Sequence, residues 1–331
     1  YGTFVITGGT INNSGDHGYA LYADYNASVE ITDGTISNSG NFGYALRADM
    51  DASVEINGGT ISNSGYNGNA LYANSNALVI MNDGTISNSA NNGEALYVNS
   101  NASAELSGAT ITNNNGGKYP VNINGGSFSM TEGTINQDST AQNGIAIHAN
   151  EDAKSVSISG GTVNSPNGVG VKAPYTQVSV TGGTFNTKSC AFFTRKLDIS
   201  PSSDEDVKVT SDTYLIYSLV DSDKYGNSDN KINGGTFYAP CVVIGDGPSR
   251  LEINGGVFND LNAVQTGDST TVVITGGTFK GSDGKGFTKV NDYIPDNNAM
   301  EVDPDSGEIV VSDDAVAVVN GVGYETLADA I

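Results

Sequence analysis

Residues 31–59 read ITDGTISNSGNFGYALRADMDASVEINGG, after which the same phrase begins again. It is preceded by ITGGTINNSGDHGYALYADYNASVE and followed by INGGTISNSGYNGNALYANSNALVI, so Gly9, Gly34, Gly59 and Gly84 stand 25 residues apart. A unit of that length cannot bury a core alone and must stack on its neighbours, which is the mark of a solenoid. Within one unit the apolar positions are Val29 and Ile31, then Ile36, then Leu46 and Ala48, with polar or small residues between. Alternation of period two in short runs, divided by Gly, Asn, Asp and Ser, predicts three strands and three turns per coil. Successive coils then pair as parallel strands, each covering the open edge of the one before. The predicted fold is all-β, a single-stranded, right-handed, three-sided parallel β-helix, the hand following from the preference for right-handed crossovers between parallel strands.

In such a fold the chain length of 331 residues counts coils rather than domains. The Gly-Gly-Thr mark or a variant recurs at Gly8-Gly9, Asp33-Gly34, Gly58-Gly59, Asp83-Gly84, Gly108-Ala109, Glu132-Gly133, Gly160-Gly161, Gly182-Gly183, Gly234-Gly235, Gly255-Gly256 and Gly276-Gly277. The long interval from 183 to 235 accommodates a degenerate coil, VKVTSDTYLIYSLV from Val207, with Ser211-Asp212 standing for the glycines and RKLDISPSSDED, 195–206, looping out. That makes about twelve coils and, at ~4.8 Å each, a rod of roughly 55–60 Å. Coils after Gly116 vary in length, and Phe128, Phe185, Phe237, Phe258 and Phe279 are expected in the interior slot held earlier by Ile11, Ile36, Ile61, Ile86 and Ile111. A ring fills more cross-section than Ile, so these coils should shorten elsewhere.

Two polar columns read as ladders. Asn13, Asn38, Asn63, Asn88 and Asn113 recur at the turn after the Ile, where an amide can bond the same amide one coil away. Thr10, Thr35, Thr60, Thr85, Thr110, Thr134, Thr162 and Thr184 form the other; beside a rank of Asn12, Ser37, Ser62, Ser87 and Thr112 they leave an ice-binding face as a minor alternative. Cys190 and Cys241 fall in the column of Tyr19 with the Val207 coil between them, which separates them by near 9.6 Å, beyond the roughly 7 Å a disulfide spans. Two free thiols are therefore expected.

Composition narrows function. A net charge of −23 and a pI near 4.1 oppose binding to nucleic acid or anionic membrane. No apolar run approaches the ~18 residues of a spanning helix. Regular Val, Ile and Leu positions separate the chain from disordered sequences of similar polarity.

Toward the C-terminus, Ala299-Met-Glu-Val302 and Glu308-Ile-Val-Val311 flank Asp303-Pro-Asp-Ser-Gly307, a hairpin placed to cap the stack. The organisation expected is repeats over 1–285, a capping segment and hairpin over 286–312, and the start of a following module or linker over 313–331, where YETLADAI would begin a helix. Because the chain starts within a repeat and stops within a new element, it reads as part of a longer protein whose leader or anchor lies elsewhere.

The GGTF mark followed by Val290-x-x-Tyr293-Ile294, the hairpin, and the closing AVAVVNGVGYETLADAI resemble β-helical modules of large surface proteins of Gram-positive gut and anaerobic bacteria. The resemblance implies a pectate-lyase-like β-helix on an exported, multi-module adhesin or cell-surface protein, joined to further modules of the same polypeptide. It names no ligand.

Candidate chemistry is sparse. The Asp24 and Asp49 column continues as Asn74 and Asn99, which cannot act as acid or base. The sequence has no Ca²⁺-binding nonapeptide, no phosphate loop, no zinc spacing and no Ser-His-Asp arrangement, so no metal or cofactor is expected. Aligning GYALYAD, GYALRAD, GNALYAN, GEALYVN, GIAIHAN, GVGVKAP and CAFFTRK sets Tyr22, Arg47, Tyr72, Tyr97, His148, Lys172 and Phe193 in one line. The cations in it require that the line face outward, where rings and cations together suit sugars or a protein partner. The expected function is an extracellular, non-catalytic adhesin or stalk that binds a host or bacterial glycan or surface protein. A polysaccharide lyase or glycoside hydrolase is the alternative, and its mark would be a groove where at least two carboxylates and a cation converge.

Overall fold

The computed structural model describes residues 2–114, 118–137, 144–218, 227–245, 248–281, 289–296 and 298–312, with the backbone of 317–319 and 322–324. It is an all-β parallel solenoid of about ten turns. Each early coil has one long strand and one short one, such as Ser28–Asn38 and Tyr44–Ala48. The long strands form an 18-stranded sheet that includes the C-terminal strands, and the short ones an 11-stranded sheet. The first two of the three expected strands thus run on as one, bent at Asp33-Gly34, where Gly34 has φ 103°. That conformation is open to glycine and strained for other residues, which explains the regular mark. The rod still has three faces: one before the bend, one after it, and the short strands.

Register follows the repeat residue for residue. Val29 pairs with Val54, Ile36 with Ile61 and Leu46 with Leu71, and all six are buried in a single core. Asn13 donates from Nδ2 to Asn38 Oδ1 at 2.6 Å, and Asn38 to Asn63 at the same distance, so the ladder exists. Higher up, the amides turn to the backbone: Asn88 Nδ2 donates to the carbonyls of Gly68 at 2.7 Å and Glu94 at 2.8 Å.

Two expectations need correction. Phe128 pairs with Ala104 and Val156 on the first face, while Ile135 holds the slot above Ile111; the glycine bend of that coil is Gly133, and Gly125-Gly126 lies on the turn before the strand. The other four phenylalanines do occupy the second-face slot, which runs Val163, Phe185, Val209, Phe237, Phe258, Phe279. Segment 195–206 does not loop out as a whole. Lys196–Ile199 is a first-face strand between Val178–Val180 and Asp229–Ile232, and only 200–206 is inserted at the bend. Ser211 therefore continues the Asn column, facing Thr187, and Val207 stands where the glycine would be. The stack counts about ten turns, slightly fewer than the twelve expected, and the coil opened by Gly276-Gly277 gains no third-face strand among the described residues.

The Val207 coil separates the cysteines as expected: Cys190 pairs with Tyr214 and Tyr214 with Cys241, and both thiols are free and buried. At the C-terminal end, Ala299–Val302 and Ile309–Ser312 form the antiparallel hairpin, and its second strand pairs antiparallel with Thr271–Phe279. An antiparallel strand cannot continue the coil, so it closes the edge of the long-strand sheet. Ala317–Val319 and Val322–Tyr324 pair antiparallel, so Tyr324, the first residue of the YETLADAI segment read as a helix start, ends a strand, and the rest of that segment lies outside the described residues.

Candidate functional site

The third face presents the line of residues picked out by the alignment. Tyr22, Arg47, Tyr72 and Tyr97 occupy consecutive coils, Asn122 follows, and His148, Lys172 and Phe193 complete the line. Tyr22 is exposed, Asn122 is buried and the other six are half-buried on the outer side of the sheet, while Leu21, Ala23, Leu46 and Ala48 face the core. A second outward column, Tyr19, Tyr44 and Asn69, lies three residues upstream in each coil.

The two columns interleave. Tyr19 stacks on Tyr44 at 5.5 Å between ring centroids, Tyr44 on Tyr72 at 4.9 Å and Tyr72 on Tyr97 at 5.2 Å, with planes within 12° of parallel. Because the stack runs along the rod, ring faces cover one another and the surface shows edges and hydroxyls. Arg47 sits among them, its guanidinium 5.4 Å from the Tyr19 ring centre, 5.5 Å from Tyr22 and 5.3 Å from Tyr72. The same guanidinium donates to Asp49 Oδ2 at 2.6 Å and to the Tyr19 hydroxyl at 3.1 Å. Burial acts to raise the Asp49 carboxyl, but hydrogen bonds from Arg47, Ser75 and Asn74 outweigh it and hold Asp49 below the usual carboxylate range. Burial also opposes the Arg47 charge, yet Asp49 and Tyr19 keep its pKa raised.

Further along the same face the sequence reading missed two residues. Glu94 is buried, and its Oε1 accepts from Asn122 Nδ2 at 3.2 Å, with Lys118 Nζ at 3.9 Å. Asn122 Oδ1 lies 3.0 Å from His148 Nδ1, and Tyr119 stacks on the imidazole at 4.4 Å. Burial raises the Glu94 carboxyl against the pull of Lys118 and Asn122. Burial, with Lys172 and Lys118, lowers His148 to about 4. The signal for Glu94 was present, since GYAL, GNAL and GEAL align Tyr44, Asn69 and Glu94. Asn122 was hidden because its coil, KYPVNING, lacks the Gly-x-Ala phrase.

A cleft of about 330 Å³ opens beside this chain, lined by His148, Ala149, Asn150, Glu151, Lys172, Pro174 and Tyr175. Lys172 Nζ lies 5.4 Å over the Phe193 ring, and Phe193 packs against Tyr217 at 5.5 Å.

On the first face a second cleft, about 310 Å³, is lined by Gln177, Leu197, Asp198, Asp229, Lys231, Arg250 and Glu252. Here Lys196, Asp229 and Arg250 form one column and Asp198, Lys231 and Glu252 the next, so sign alternates along both. Arg250 pairs with Glu252, and the Ser200 hydroxyl donates to Asp198. Among the described residues, no group of three or more His, Cys, Asp or Glu side chains could hold a metal ion.

No family model, curated protein or solved structure matches the chain.

Proposed function

We propose that this solenoid is a non-catalytic binding rod of an exported bacterial surface protein, an adhesin or stalk module that holds a glycan or a surface protein against its third face. The observation that carries the reading is the strip of stacked rings and cations from Tyr19 to Tyr217, which lies outside a core already closed by Leu, Ile, Val and Ala. Tyrosine and arginine are the residues in which binding energy concentrates at protein interfaces. Stacked on a parallel sheet they are also ordered in advance, so association immobilises few side chains. His148 favours recognition over proton transfer, because a base with a pKa of about 4 is poorly matched to general-base work near neutrality. The surface location is supported by the likeness of the repeats and the closing motif to surface-protein modules.

The test is the triple change Tyr22→Phe, Tyr72→Phe and Tyr97→Phe, which keeps the ring stack and removes the hydroxyl edges. Binding on a glycan and surface-protein array should fall at least tenfold while the melting temperature stays at the parent value. Unchanged binding, or no binder for the parent protein, overturns the reading.

The first-face cleft favours a second reading, a polysaccharide lyase or glycoside hydrolase, since Asp198, Asp229 and Glu252 share it with Lys231 and Arg250. That reading predicts new reducing or unsaturated chain ends from acidic or neutral polysaccharides, abolished by Asp229→Asn. Against it, every charge in the two columns already faces an opposite charge one coil away, which stabilises register without any substrate.

A further inference from the structure

The hydrogen-bond chain behind the His148 cleft decides which imidazole nitrogen carries the proton. Lys118 Nζ, 3.9 Å from Glu94 Oε1, favours the carboxylate form, which only accepts, so the Asn122 amide nitrogen faces Glu94 and its carbonyl oxygen faces the ring. That oxygen cannot donate, so His148 Nδ1 does, and in the neutral ring Nε2 keeps its lone pair. Tyr119, stacked at 4.4 Å with planes 12° apart, holds the imidazole against turning over. Glu94, Asn122 and His148, on three successive coils, are thus ordered as one chain that ends in a ring facing away from the core. Ordering them costs conformational entropy, and no core contact requires it.

The cleft that His148 lines is electrically balanced. Lys172 brings an ammonium, Glu151 a carboxylate, and Asn150 and Tyr175 complete the polar and aromatic wall. The rest of the chain, at −23, repels anions. At about 330 Å³ the cleft lies at the small end of ligand sites, which run ~300–1,000 Å³, and suits a guest of one or two rings.

We propose that this cleft is the specificity site of the third face and takes a neutral hexose residue through a vicinal pair of hydroxyls, one donating to His148 Nε2 and its neighbour accepting from Lys172. Glu151 accepts a further hydroxyl, and the apolar side of the sugar lies toward Tyr175. Glu94 and Asn122 are positioning residues: they fix the tautomer and touch no sugar. The charged and titratable groups facing the imidazole are Lys118, Lys172, Glu151, Tyr119 and, through Asn122, Glu94; the lowered pKa of His148 keeps Nε2 an acceptor at neutral pH. The proposal rests on the reading of the third face as a binding surface.

The experiment uses the full chain with ¹⁵N-labelled histidine. In the free protein His148 should show the Nδ1–H tautomer, and Glu94→Gln, whose amide can offer a donor to Asn122, should perturb that signature. Titration with methyl glucoside, methyl galactoside and methyl mannoside should shift the His148 Nε2 resonance for at least one of them. Glucuronate should bind no more tightly than the best neutral glycoside. His148→Phe, which keeps the ring on Tyr119, and Lys172→Met should each weaken the responding glycoside at least tenfold at an unchanged melting temperature. The Nε2–H tautomer, no response to any neutral glycoside, or preference for glucuronate overturns the proposal. If the tyrosine variant loses array binding while no glycoside moves His148, the strip stands and this site fails; if a glycoside moves His148 while the parent finds no binder on the array, the reverse holds.

Discussion

The coils from Thr3 to Asn113 and those from Lys196 to Phe279 solve one packing problem in two ways. The first group repeats every 25 residues, stacks Ile36, Ile61, Ile86 and Ile111 in one slot, and turns its corner with buried Asn38, Asn63, Asn88 and Asn113. The second group ends in coils 21 residues apart, with Phe237, Phe258 and Phe279 following one another at 4.9 Å between ring centroids in that same slot. Its long strands shrink from eleven residues, as in Ser53–Asn63, to nine, as in Arg250–Phe258 and Thr271–Phe279. A rod of continuous strands must keep a nearly constant cross-section, so extra volume in one slot is met by a shorter path around the others. Polar corner amides likewise give way to Ser165, Thr187 and Ser211. Regular repetition is thus one way to hold register; volume compensation and paired charges are another.

The sharpest break of this comparison is Phe258→Ala. The ring is buried between two others, and its loss should cost about 3–5 kcal/mol, against about 0.5–1.5 for Ile61→Val. Urea unfolding of both variants reads the difference, and equal costs would mean that the later coils are loosely packed. Next comes Gly59→Ala against Gly9→Ala. Both glycines have φ near 80°, but a Cβ on Gly59 would meet the Gly34 carbonyl oxygen at 2.7 Å, whereas at Gly9 nothing lies within 4 Å. Backbone strain of about 1–2 kcal/mol applies to both; the Gly59 variant should be less stable again, by a margin a melting curve resolves. A smaller contrast is Asn88→Ala, which removes two donated bonds and the acceptor for Ala90 N at 2.6 Å and should cost about 1–3 kcal/mol. Ser211→Ala in the same column should cost less.

Two further measurements test the later and middle coils without altering the core. Burial pushes the Cys190 thiol up to about 12 and raises Cys241, so neither should alkylate readily in the native protein. Unfolding without reductant should admit two labels, and none would show that the intervening coil fails to separate them. The smallest effect is a pH dependence. His148 titrates at about 4 when folded against an ordinary 6.5, so the unfolded chain takes up its proton first. Stability from this group is full above about 6.5 and is lost as pH falls toward about 4. Comparing the pH dependence of unfolding in the parent and His148→Phe should show that slope only in the parent.

Much of this was legible in the residues because a solenoid is a one-dimensional fold. A 25-residue period with alternating Val, Ile and Leu specifies parallel coils, and each coil then places its neighbours' columns, including the line from Tyr22 to Phe193 and the separation of the cysteines. Where the period lapses, the columns lapse with it: Phe128 moved to the first face because Gly125-Gly126 imitates the bend mark that Glu132-Gly133 carries, and 196–199 proved to be a strand because that degenerate coil offers no local signal of where its bend falls. Alignment could say that Arg47 shares a column with tyrosines. It could not say that rings from the adjacent column interleave with them, that Asp49 holds the guanidinium, or that Asn122 links Glu94 to His148. Backbone pairing is set by composition and period, which are properties of the chain read in order. Side-chain contacts across coils depend on how far each group reaches from its own column, and only the stacked structure decides that.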